Sequence, residues 1–205
     1  NYQSNSLNQY TSIDSSVLGY DSVGNMTSGV IYLDDPSVPG TRYPMLANFT
    51  YDYANRLLRV ERQFDGVILG EYTYDCFGRR IWKKASNTST PELLNYETFF
   101  WYDGAECIEE TDSSGQFIAS YVFGIDIDEA ICVEYPVASQ QYPVSGTYWY
   151  HTDIAGSVAA VTDNSGDVIE RYKYDMYGGT TILEPDGQTA LSESLIGNRI
   201  RFTGR

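Results

Sequence analysis

At 205 residues, 42% hydrophobic and 20% charged, with a net charge of −15, the chain carries enough apolar material to exclude wholesale disorder. It has no run of about 18 apolar residues, and its polar opening NYQSNSLNQY lacks the basic and apolar regions of a signal peptide, so membrane insertion is not expected. Nineteen tyrosines beside 18 glycines and seven prolines favour half-buried pleated strands broken by frequent turns, which predicts an all-β protein rich in hairpins.

The first recurring unit in chain order is GYDSVGNMTS at 19–28, built around Tyr20. It returns as FTYDYANRLLRV at 49–60, YTYDCFGRRIWKK at 72–84 and YKYDMYGGTTI at 172–182. Residues i and i+2 of a strand share a face, so Tyr72 with Tyr74, and Tyr172 with Tyr174, form aromatic stripes. After Tyr51, Tyr74 and Tyr174, the carboxylates of Asp52, Asp75 and Asp175 are expected to cap the turns by accepting bonds from amides ahead of them. Gly78, Gly178 and Asn55 then supply the positive φ that such turns need. RLLRVERQ and RRIWKK alternate as returning strands whose Leu58, Val60 and Ile81 meet the outgoing tyrosines. One such hairpin cannot bury its apolar face alone, so the repeats must stack sideways into a shared strip.

Between these units, DDPSVPGTRYP at 34–44 and ASNTSTPELLN at 85–95 read as loop insertions. Arg56, Arg59, Arg62, Arg79, Arg80, Lys83 and Lys84 hold seven of the 13 basic residues, whereas Ala85 to Glu170 carries 15 acidic residues and no Lys or Arg. The basic cluster is expected to pair with the acidic stretch of a neighbouring turn or molecule, with anionic glycans as the alternative. The acidic stretch is expected to be a solvated face that repels phosphate backbones, so nucleic acid is not an expected partner.

A second hairpin signal, TDSSGQFIASYVFG from Thr111, repeats at an offset of 51 residues as TDNSGDVIERYKYD from Thr162. Both read as strand, Ser-Gly turn and alternating return strand. In GIDIDEAICVE at 124–134, Asp126 and Asp128 are expected on one strand face with Glu129 on the other. That makes them a weak candidate for a cation, since the stretch lacks the glycine-centred spacing of a calcium loop. The single histidine lies in WYHTDIAGS, where His151, Asp153 and Ser157 are too close in sequence for a hydrolytic triad. His151 is instead expected to hydrogen-bond within the strip, with Asp153 and Gly156 building a turn. EPDGQTALSESLIGN at 184–198 reads as a loop with a short helix through TALSESL. Cys76, Cys107 and Cys132 form no metal-type pair and read as buried thiols, with room for at most one disulfide. No metal or cofactor is expected.

These motifs resemble the YD-repeat or Rhs-repeat family, found in bacterial polymorphic toxins, the C components of insecticidal toxin complexes, wall-associated bacterial proteins and animal teneurins. Besides the Tyr-Asp units, YWYHTDIAGSVAAVTDNSGDVIERYKYDMYG at 148–178 is similar to the start of the Rhs-associated core, and RFTGR at 201–205 to its closing motif. The resemblance implies Tyr-Asp hairpins over 1–98 and the start of that core over 99–205. It also implies an antiparallel strip that coils into a hollow shell around a toxin or another C-terminal domain. Arg201, Phe202, Gly204 and Arg205 would then be structural, as would His151, Asp153, Gly156, Tyr174, Asp175 and Gly178. In toxin-type relatives a self-cleavage segment comes after the Phe-x-Gly-Arg motif, and the present residues stop before it, so no catalytic residue is assigned and the chain is expected not to be an enzyme. The expected partners are other repeats or neighbouring copies and an enclosed domain, at an extracellular or cell-surface location. An adhesive or fibre-forming module, with tyrosines stacking on sugars, is the alternative.

Overall fold

The computed structural model describes residues 2–7, 9–13, 16–34, 42–86, 95–139 and 141–204. The chain is all-β, and among these residues there is no α-helix. The Cα framework divides into two units, Asn1–Thr98 and Phe99–Arg205.

In the first unit, β1 (Tyr2–Ser4), β2 (Tyr10–Ile13) and β3 (Ser16–Val17) form a small antiparallel sheet. The strands β4 (Gly19–Tyr20), β5 (Met26–Asp34), β6 (Arg42–Tyr51), β7 (Leu57–Arg62), β8 (Ile68–Tyr74) and β9 (Arg80–Ser86) continue as a meander in which each pairs with the next. Of the two expected insertions, residues 35–41 and 87–94 lie outside the described residues. The ends of the first become regular strand, since Asp34 pairs with Arg42 at the close of a seven-pair ladder between β5 and β6. Few side chains here are fully covered: Leu18, Ala47 and Leu69 are buried, while β7 is half-buried along its whole length. A single sheet covers little of its own apolar face.

The strand β10 (Asn95–Asp103) straddles the division. The second unit continues with β11 (Glu106–Thr111), β12 (Phe117–Phe123), β13 (Ala130–Tyr135), β14 (Gly146–Thr152), β15 (Val158–Thr162), β16 (Val168–Tyr174), β17 (Thr180–Leu183) and β18 (Ala190–Leu191), again each paired antiparallel with its neighbour. Alternation, reset by an irregularity within β15 between Val158 and Ala160, places Tyr121, Tyr135, Tyr148, Tyr150 and Tyr172 on one face with Val133, Val158 and Val161, and this is the core. Tyr135 stacks on Tyr142 with ring centroids 4.2 Å apart.

The expected helix through TALSESL does not form. Ala190 and Leu191 pair with Leu183 and Ile182 as a strand, and the chain beyond them is held over the core face by side chains of the sheet. Ile196 and Asn198 are 1% exposed there, a burial that a helix standing free of the sheet would not give.

Candidate functional site

The Asp-x-x-Gly turns share one construction. At Asp52 the backbone amide donates to the Arg56 carbonyl (2.9 Å) and the Asn55 amide donates back to the Asp52 carbonyl (3.0 Å). The amides of Ala54 and Arg56 donate to Oδ1 of Asp52 at 2.8 and 2.9 Å. The same four bonds recur at Asp21, Asp75, Asp112, Asp153, Asp163 and Asp175. The residue three beyond the Asp is left-handed, with φ of 61° at Asn55, 87° at Gly78, 79° at Gly156 and 84° at Gly178. This is a type I turn closed by a left-handed residue, and the extra residue is absorbed as a bulge, seen as register shifts before Tyr51, Tyr74 and Thr152. The Tyr-Asp units and the Thr-Asp units, which look like two families in sequence, therefore build the same turn. The donors of the turn also favour the ionised carboxylates: the Arg56 amide holds the Asp52 carboxyl below its usual range, and the Ser114 hydroxyl does so for Asp112.

Because successive strands run in opposite directions, alternate turns fall on opposite edges of the sheet. In the first unit the turns at Asp21, Asp52 and Asp75 share one edge; in the second, Asp153 and Asp175 share one edge while Asp112 and Asp163 share the other. The tyrosine of the unit links neighbours along its edge. The Tyr74 hydroxyl donates to the Leu57 carbonyl (2.9 Å), and the Tyr174 hydroxyl to the Val158 carbonyl (2.7 Å). Each acceptor lies five residues beyond the Asp of the preceding turn on that edge.

The position four beyond the Asp distinguishes the Asp52 and Asp75 turns from the Asp153 and Asp175 turns. At Asp52 it is Arg56, whose Nη1 donates to the Asp75 carbonyl (2.8 Å) and whose guanidinium lies 5.0 Å from the Tyr74 ring centroid. At Asp153 and Asp175 it is Ser157 and Gly179, two small residues, and the Arg-Phe-Thr-Gly segment packs on this edge. The Val158 amide donates to the Arg201 carbonyl (2.9 Å) and the Thr203 amide to Ser157 Oγ (3.1 Å). Phe202 rests on Tyr174 and on Gly178, where a Cβ would come within 2.9 Å of its ring. Gly204 meets the Asp128 carbonyl so closely that no Cβ fits. Residues 201–204 thus fasten three successive hairpins, those turning at Asp175, Asp153 and Asp128. Arg205 lies outside the described residues.

Two buried carboxylates anchor the approach to this clip. Glu170, with no exposure, accepts from the Tyr172 hydroxyl, from Ser194 Oγ (2.7 Å) and from the Leu195 amide (2.8 Å). Asn198 Nδ2 donates to Tyr172 (2.8 Å), and the Tyr150 hydroxyl donates to Asn198 Oδ1 (3.0 Å). Glu110, 3% exposed, accepts from the Tyr121 and Tyr142 hydroxyls (3.0 and 2.9 Å), and both of its oxygens accept from Arg199 Nη1 (3.2 Å). Burial, and then the charge of Glu110, drive the Tyr121 and Tyr142 hydroxyls well above their usual range, so both remain donors. Both glutamates fall in the stretch expected to be a solvated acidic face. The sequence signal for Glu170 is the same alternation that marks the tyrosines, since it lies two residues before Tyr172 and so shares its face.

Other expectations are placed differently. Asp126 and Asp128 do not sit on a strand: β12 ends at Phe123 and β13 begins at Ala130, and the Gly124 amide donating to the Glu129 carbonyl (2.7 Å) closes a turn in which Asp128 takes φ of 58°. Among the described residues no group of three or more His, Cys, Asp or Glu is arranged to hold a metal ion. His151 Nε2 is 3.0 Å from Thr162 Oγ1, whereas Asp153 Oδ1 accepts from the Ala155 and Ser157 amides. The basic cluster pairs locally, Arg56 with Asp52, Arg79 with Asp75, Arg62 with Asp65 and Arg59 with Glu71; Lys84 reaches Glu97 of the acidic stretch at 3.4 Å. A partner three or four residues away across a turn needs little chain ordering to reach. The cysteines are free thiols, with Cys76 exposed, and burial together with the Glu110 charge pushes Cys107 up to about 12.

No family model matches the chain. Over 200 residues, 98% of its length, it is 27% identical to the tRNA3(Ser)-specific nuclease WapA of Bacillus spizizenii and 26% identical to the tRNA nuclease WapA of Bacillus subtilis, spanning 7% of each. Over 63% of its length it is 30% identical to the double-stranded DNA deaminase toxin A of Burkholderia cenocepacia, 10% of which it spans. Among solved structures it is similar to the crystal structures of TcdB2-TccC3 (TM-score 0.52, 15% identity, 92% of this chain and 11% of that one) and of TcdB2-TccC3-Cdc42 (0.52, 14%, with the same coverage). The expectation of a protein that is not an enzyme is overturned by these relatives, which are named as nucleases and as a deaminase toxin. What the chain shares with them is a structural repeat segment associated with toxins.

Proposed function

The chain belongs to the YD-repeat (Rhs-repeat) family, and from that membership we propose that it forms one stretch of the wall of an exported toxin's shell, surrounding an enzymatic domain on the same polypeptide. The clip of residues 201–204 across three hairpins carries this reading, because it devotes a run of the chain to locking neighbouring turns together. A locked strip resists opening at its edge, which is what a container wall requires. The enzymatic domain would act on nucleic acid, as the nuclease and deaminase names of the relatives suggest. The wall itself, with a net charge of −15, repels phosphate and leaves the substrate to that domain.

The test is protease protection in the full-length protein. The enzymatic domain should resist a nonspecific protease inside the shell and be digested when expressed alone. Equal digestion rates in the two settings would refute enclosure, and absence of nuclease or deaminase activity from the freed domain would refute the enzymatic reading.

A further inference from the structure

The two edges of the second unit differ chemically in a way that the turns do not require. Each turn is closed by its Asp and its left-handed residue, so the two positions between them are unconstrained. On one edge the tips of the Asp153 and Asp175 turns are apolar, Ile154 between β14 and β15 and Met176 with Tyr177 between β16 and β17, and the differently built turn between β12 and β13 presents Ile125 and Ile127, all 85% exposed or more. On the opposite edge the corresponding tips are Ser113-Ser114 and Asn164-Ser165. Single exposed apolar residues are ordinary, but a row along one edge marks an interaction surface. We propose that this edge docks a cationic amphipathic helix of a partner protein.

Spacing and charge choose the occupant. Turns on one edge are two strands apart, about 9.5–10 Å, and a helix rises about 10.5 Å in seven residues. A helix lying along the edge therefore meets the three tips with apolar side chains at i, i+7 and i+14. Residues 99–205 contain 17 acidic and five basic residues; at this edge Asp103 ends β10 and Glu106 begins β11, and Asp126 and Glu129 stand in the turn between β12 and β13. Arg171 and Lys173 are turned to the other edge, donating to the Pro185 and Gly187 carbonyls, and Arg201, which packs on this edge, directs its guanidinium to the Asn198 carbonyl. Lysines or arginines flanking the apolar positions complete the match. An anionic membrane and a second copy of a chain with net charge −15 are both repelled.

The probe is a fluorescent synthetic helix of about 18 residues in an alanine-lysine background with leucines seven apart, titrated against the chain by anisotropy. Saturable binding that weakens with salt is expected. The double variant Ile154→Ser/Met176→Ser, with an unchanged circular dichroism spectrum, should bind at least about tenfold more weakly. A glutamate-background peptide should not bind. The proposal is overturned if the lysine peptide does not bind, if it binds wild type and variant alike, or if a peptide with scrambled leucines binds as well. Sedimentation showing a dimer that the same variant dissociates would overturn it in favour of a second copy.

Discussion

The ring of Phe202 packs against Tyr174 with centroids 5.6 Å apart at 55°, and the same ring occupies the space above Gly178. The glycine of one Tyr-Asp unit thus has a second duty beyond its turn. Gly166, in the Thr-Asp turn at Asp163, has an equivalent φ, 85° against 84°, with nothing within 4 Å of where a Cβ would stand. Gly166→Ala should therefore show backbone strain alone, about 1 kcal/mol, and Gly178→Ala about 2–3 kcal/mol through displacement of the ring as well. In a Phe202→Ala background the two costs should converge, as chemical denaturation will show.

Glu170 offers a sharper case, because its partners are all donors. Glu170→Gln turns an amide group toward at least one of the Tyr172 hydroxyl, Ser194 Oγ and the Leu195 amide, and should cost about 2–3 kcal/mol. Hydrogen exchange at Leu195 should accelerate, whereas exchange in β11 and β12 should change little.

Arg199 bonds Glu110, donates to Gln141 Oε1 (2.5 Å) and lies 5.0 Å from the Tyr142 ring centroid. Arg199→Lys keeps the charge but loses the planar fork and the stacking, so about 1–2 kcal/mol should be lost in a denaturant titration. Arg199→Ala should cost more, about 3 kcal/mol, by leaving the buried Glu110 without its cation.

Acid should loosen the turns. Asp52 and Asp112 have folded-state carboxyls below the ordinary value, so the stability they contribute is complete above about pH 4 and is lost as pH falls through the lowered values. Thermal midpoints measured between about pH 2 and 5 should fall toward acid, and Asp112→Asn should flatten part of that fall.

The hairpins were legible because every ingredient is local: Tyr-Asp adjacency, the capping carboxylate and the left-handed glycine act within a few residues. The tyrosine's bond to the preceding turn was not, since Tyr74 and Leu57 meet only once the strands are aligned. Misreadings arose where tertiary contact outweighed local pattern. TALSESL has helical residues, but Ser194 and Leu195 are claimed by Glu170. The acidic stretch looked uniformly solvated, yet Glu110 and Glu170 are buried, because alternation along a strand, not charge, sets which side chains face the core. The arginines at Arg56 and Arg79 found their acids across their own turns, while Lys84 reaches the acidic stretch at Glu97.

Alternating edges impose a parity on how such a chain can change in length. Adding or deleting two strands returns every later Tyr-Asp turn to its own side, with its tyrosine aimed at the next turn and Phe202 still opposite Gly178. Adding or deleting one strand sends all later turns to the wrong side at once. The hairpin pair, rather than the strand or the residue, is therefore the smallest unit by which this protein can grow without misplacing the turns downstream.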